Sequence, residues 1–156
     1  MLTDANLLLS GAVSAANVLT AQTVTGTDTS VLSTNAIDLG IARDVGEGEP
    51  LFGRFECLTS ASGGTSVEMQ IIASDAANGT GNVQVIASTG AIPVASVIAG
   101  ARFAARLNPR LASKGQRYLT ARYVFVGIVA AGAYVADIGL EISDGQKFYG
   151  SGFAIL

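Results

Sequence analysis

Ser66-Val67-Glu68-Met69-Gln70-Ile71-Ile72-Ala73-Ser74 decides the fold class. Side chains on a strand point alternately to its two faces. This stretch sets Val67, Met69, Ile71 and Ala73 against Glu68, Gln70 and Ser74. Just upstream, residues 51–58 repeat the pattern, with Leu51, Gly53, Phe55 and Cys57 on one face and Phe52, Arg54 and Glu56 on the other. The intervening Ser60-Ala61-Ser62-Gly63-Gly64 has the composition of a hairpin loop. Downstream, Asn78-Gly79 and Gly81-Asn82 mark residues 75–82 as a turn.

The same reading extends in both directions. Residues 31–39, 83–88, 102–107, 118–126 and 133–142 are strands. Ile92-Pro93-Val94 is an edge segment, because proline cannot donate to a central ladder. Asn108-Pro109 is a break. The apolar run 124–136 contains Gly127 and Gly132 and falls short of the roughly 20 residues a membrane helix needs. It reads as one strand end, a turn and the next strand start. About eight strands without a long amphipathic helix predict an all-β protein, an antiparallel β-sandwich of jelly-roll type. The expected division is an extended N-terminal arm over 1–30, a jelly-roll β domain over 31–142 and a short C-terminal tail over 143–156. The arm, with no firm period, is expected to need outside contacts for order.

Composition narrows the function. The chain has 156 residues, 49 % of them hydrophobic, enough for one real core. Only 13 % are charged, against a usual ~25 %. Charge is depleted where proteins meet, so much of this surface is expected to be covered by neighbours. The net charge of −3 and nine scattered basic residues, densest between Arg102 and Arg122, argue against direct nucleic-acid binding. The N-terminal leucines lack the basic flank of a signal peptide, and Asp4 stands in its place. No membrane association is expected.

Chemistry finds little to work with. There is no histidine, which removes the commonest general base and metal ligand. The single cysteine, Cys57, reads as a buried structural thiol. The acidic stretch 44–49 has oxygen ligands suited to Ca²⁺, but without the spacing of a known loop it reads better as a solvated turn. Asp75, Asn78 and Asn82 belong to a turn. No catalytic residue, metal site or cofactor is expected. A carbohydrate- or receptor-binding β-sandwich is the alternative function, weakened by 6 % aromatics and no tryptophan.

Several stretches together carry a resemblance: Leu7-Leu8-Leu9-Ser10; Ser33-Thr34-Asn35-Ala36-Ile37-Asp38-Leu39-Gly40; Arg43-Asp44-Val45-Gly46-Glu47-Gly48-Glu49-Pro50-Leu51; and Arg117-Tyr118-Leu119-Thr120-Ala121-Arg122-Tyr123. Over roughly residues 30–142 the set resembles the small jelly-roll capsid cement (decoration) proteins of tailed bacteriophages. The resemblance implies a homotrimer on the outer surface of an icosahedral head, assembled in the host cytoplasm. There it would bridge major capsid protein subunits against internal DNA pressure, with no catalytic residues. On that reading Leu2, Leu7, Leu8 and Leu9 anchor the arm, and Phe148, Tyr149, Phe153 and Leu156 anchor the tail, unless these residues complete the domain's own core. Deleting residues 1–20 is then expected to abolish shell binding and spare the fold.

Overall fold

The computed structural model describes residues 5–16, 18–40, 50–108 and 115–140. Short strands come first: β1 (Leu8–Ser10), β2 (Ala12–Val13), β3 (Leu19–Thr20), β4 (Gln22–Thr23) and β5 (Gly26–Thr27). Then follow β6 (Ser30–Asp38), β7 (Phe52–Ser62), β8 (Ser66–Ser74), β9 (Gln84–Pro93), β10 (Arg102–Arg106), β11 (Tyr118–Val126), β12 (Ile128–Val129) and β13 (Ala131–Gly139). The only helical pieces among the described residues are single 3-10 turns at Ala5–Leu7 and Val94–Ser96.

All strand pairs are antiparallel. One sheet runs β1-β13-β7-β10, with β4 also on β13, and the other runs β6-β11-β8-β9. The alternating residues explain why the two sheets pack. Val67, Met69, Ile71 and Ala73 of β8 and Leu119, Ala121, Tyr123 and Phe125 of β11 face Phe55, Cys57, Tyr134, Ala136 and Ile138 across one core. Tyr123 stands at its centre, edge-on to Phe55 at 6.2 Å and stacked on Tyr134 at 5.0 Å. Such pairs add about 0.5–1.5 kcal/mol beyond the area they bury. Burial pushes the Tyr123 phenol well above the ordinary tyrosine range.

Ile92–Val94 is not a separate segment. Its first two residues close β9, the outer strand of its sheet, and Pro93 is the last residue in that strand. Gly90, at φ +70°, stays within the strand.

The expected free arm is corrected. β1 and β4 lie one after the other along the same strand, Leu8 opposite Asp137 and Gln22 opposite Tyr134. The β2–β3 hairpin is an excursion between them. Leu8, Leu9, Ser10 and Val24 are buried, and the Tyr123 hydroxyl donates to Ser10 Oγ at 2.8 Å. The physical reason is local: strands of two or three residues are too short to show a period, yet they bury apolar side chains as well as long ones. Removing residues 1–20 would therefore take out part of the core, so that deletion does not separate binding from folding.

The second sheet is covered on part of its outer face as well. The 75–82 turn folds over Ile72, which is fully buried although its neighbours Ile71 and Ala73 point to the core. Gly79 makes this approach possible. At φ +69° it sits where a Cβ would come within 2.7 Å of Leu32 Cδ1.

Candidate interaction surface

Strand pairing brings three separate segments to one end of the sandwich. The Thr65 N–H donates to Val126 O at 2.7 Å, the Val94 N–H to Thr65 O at 3.1 Å, the Ala61 N–H to Val97 O at 2.8 Å and the Ala130 N–H to Ser62 O at 2.8 Å. Residues 59–66, 94–101 and 126–133 contain no charged side chain. They expose three large apolar ones: Ile98 at 57 %, Val126 at 51 % and Ile128 at 63 %. Asp28 stands at the margin and is committed to structure, its Oδ1 accepting the Gly127 N–H at 2.6 Å. A charge-free end displaying branched apolar side chains has the make-up of an interface core.

Beside this end, a polar ridge crosses three strands of the second sheet. The Ser88 hydroxyl and the Gln70 amide both donate to Glu68 Oε1 at 2.6 Å. Arg122 Nε and Nη2 both donate to Gln70 Oε1, at 2.8 and 2.6 Å. The Ser88 hydroxyl, then the Gln70 amide, hold the Glu68 carboxyl below its ordinary range. Next to the ridge lies an open depression of about 490 Å³, bounded by Asp28, Ser30, Gln70, Arg122 and Phe125 among others. Its carboxylate and guanidinium are already engaged, so it offers a fixed polar surface and no nucleophile–base pair.

At the opposite end, Arg117 grips Asp38 as a fork, Nε to Oδ1 at 2.5 Å and Nη2 to Oδ2 at 2.6 Å. Arg117, with the Gly40 N–H second, lowers the Asp38 carboxyl to about 2. A depressed carboxyl contributes stability above its unfolded value of about 4, and that contribution is lost as pH falls through about 2. Carboxyl NMR titration should give Asp38 a midpoint near 2, and Arg117→Ala should return it towards the ordinary value. An unchanged midpoint in the variant would show that the fork is not the cause.

The residues expected at an interface fare unequally. Leu7 is 37 % exposed and available. Leu8 and Leu9 are corrected: they belong to the chain's own core, at 4 % and 0 % exposure, and cannot reach a neighbour. Leu2, Phe148, Tyr149, Phe153 and Leu156 lie outside the described residues, as does the acidic stretch 44–49. Asp75, Asn78 and Asn82 do form a turn, with Asn82 Nδ2 donating to Asp75 Oδ2 and Thr80 Oγ1 to Asn78 Oδ1. No group of three or more Cys, Asp or Glu suited to a metal occurs among the described residues. Cys57 is buried, and burial raises its thiol. Ile98, Val126 and Ile128 were not anticipated as site residues. Each follows or precedes a turn, where an apolar residue in the sequence looks like an ordinary strand end.

The Bbp16 family model matches residues 18–138, well over half of the chain. The chain belongs to the Bbp16 family. No curated protein matches it. The Bbp16 match takes in the second sheet, the first sheet apart from β1, and all three segments of the charge-free end, so that surface is part of what the family model covers.

Proposed function

We infer that this Bbp16-family chain is a structural virion protein. In this reading it is a capsid cement protein of jelly-roll type that binds the outside of an icosahedral phage head as a homotrimer and stabilises the major capsid protein shell, with no enzymatic role. The observation that carries the reading is the charge-free end with Ile98, Val126 and Ile128, set on a rigid two-sheet core. Such a surface is suited to permanent cover by protein, and many copies acting together make each modest contact sufficient. The resemblance of residues 33–51 and 117–123 to cement proteins supports the same partner. Among the described residues every aromatic ring is buried or half-buried, so none of them offers the sugar-binding alternative a fully exposed stacking platform.

The test adds purified protein to empty phage heads and reads occupancy by electron microscopy and head stability by heating. Wild type should bind and raise the rupture temperature. Ile98→Asp with Ile128→Asp should lose binding while its far-UV spectrum and melting stay close to wild type, because both side chains are already in water. Full occupancy by this variant would remove the charge-free end from the interface. Failure of the wild type to bind any head would remove the cement reading. Light scattering should give three times 15.8 kDa, and any other mass overturns the trimer.

A further inference from the structure

Sheet edges are templates for a further strand unless something blunts them. Among the described residues, three of the four edges of the two main sheets are blunted. On one side, Gln22 covers β6: its Nε2 donates to Leu32 O and its Oε1 accepts the Thr34 N–H, both at 2.9 Å. Asn35 Nδ2 reaches from β6 to the carbonyls of Leu8 and Gly11, at 3.3 and 3.2 Å, and so occupies the β1 edge. On the other side, β9 is broken by two register shifts and ends in Pro93.

β10 is different. It pairs with β7 in unbroken register, Arg102 opposite Glu56 through Arg106 opposite Phe52. Backbone bonds join Leu107 to Leu51 and Ala101 to Cys57. Bonding pairs alternate along an antiparallel ladder, so Phe103 and Ala105 bond inward to β7. The N–H and C=O groups of Arg102, Ala104 and Arg106 therefore point away from the sheet. β9 runs beside β10, and just past the end of β10 the Asn108 N–H donates to Ile86 O at 2.8 Å, but among the described residues no strand pairs with the outward groups of Arg102, Ala104 and Arg106. The side chains of Arg102, Ala104 and Arg106 are all exposed. Arg102 leans on Glu56 at 3.3 Å, and Arg106 makes no ion pair with a described residue.

We propose that the free edge of β10 takes an extended acidic segment of a partner protein as an added strand. The backbone supplies the register, and Arg102 and Arg106, four residues apart on one face, select carboxylates at matching positions on the incoming strand. A second copy of this chain is disfavoured by the same charges. Full antiparallel overlap of two β10 strands, centred on Ala104, sets Arg102 of each opposite Arg106 of the other, and like charges directly opposed destabilise a pair. The proposal uses neither Ile98 nor Ile128, so it holds whether or not a capsid shell is the partner.

The probe is the capped heptapeptide Thr-Glu-Thr-Val-Thr-Glu-Thr at about 1 mM, where short-peptide affinities fall, with Thr-Lys-Thr-Val-Thr-Lys-Thr as control. Amide exchange by NMR on the full chain reads the edge directly. The acidic peptide should slow exchange at Arg102, Ala104 and Arg106 by about tenfold or more, and the lysine peptide should not. Ala104→Pro should abolish that protection, since it removes an outward N–H at an edge position where proline is tolerated. Arg102→Glu with Arg106→Glu should reverse the peptide preference. No protection by either peptide, or equal protection by both, overturns the proposal. So does protection without peptide that rises with protein concentration, which would make a second copy the occupant.

Discussion

Leu9→Ala should lower the free energy of unfolding by about 2–5 kcal/mol, the range for deleting a fully buried leucine from a packed core. Leu9 is completely enclosed by the chain's own residues, in the cluster that holds Phe55 and Tyr123. Urea denaturation of the isolated protein measures this without any partner. A leucine that served only to grip a neighbour would give nearly no change there, and such a result would return β1 to the status of a free arm. Leu7→Ala is the internal control: at 37 % exposure it should cost well under 1 kcal/mol, in line with surface substitutions. The contrast between adjacent leucines is the sharper reading, because any general effect of the N-terminal segment acts on both.

Arg54→Ala should be at least as damaging, at about 3–5 kcal/mol. The Arg54 guanidinium grips the Asp137 carboxylate with two bonds, Nε to Oδ1 at 2.7 Å and Nη2 to Oδ2 at 2.5 Å. The Asp137 side chain is 0 % exposed and that of Arg54 only 13 %. Removing the arginine leaves a buried carboxylate without its main counter-charge, and desolvation of that group sets the cost. Gly139 belongs to the same arrangement, since a Cβ there would lie 2.5 Å from Arg54 Cζ. Replacing both partners by apolar residues, Arg54→Met with Asp137→Leu, should recover much of the loss, because no charge then remains buried. A loss below 1 kcal/mol in Arg54→Ala would mean that water reaches Asp137. Equal losses in the single and double variants would place the cost in packing instead of charge.

The long strands were legible because they alternate and end at turn residues. β8 and β11 begin and end where the alternation predicts, at Ser66–Ser74 and Tyr118–Val126. β9 was divided wrongly because glycine and proline are read as breaks, whereas an outer strand tolerates both. The strands before Ser30 were illegible, since their pairing partner, β13, is set by tertiary contact and by nothing local. Alternation with Tyr134, Ala136 and Ile138 puts Asp137 opposite the core face of β13, but its burial against Arg54, a residue far away in the chain, has no local signal. The low charge content raises the expectation of a covered surface without saying where it lies. No motif search finds the charge-free end, because its signal is an absence spread over three segments that only the sheet pairing joins.

The pairing of β1 with β13 also sets a timetable. Leu8–Ser10 cannot find its place until Ala131–Gly139 has been made. At a synthesis rate of about 5–20 residues per second that wait is on the order of ten seconds. Throughout it, Leu7-Leu8-Leu9 leaves the ribosome as an unpaired apolar run, and the hydroxyl of Ser10 waits for the Tyr123 that will hold it. These bonds join the first of the described strands to the last, so a ribosome stalled before Ala131 carries a chain whose first sheet lacks the strand between β1 and β7.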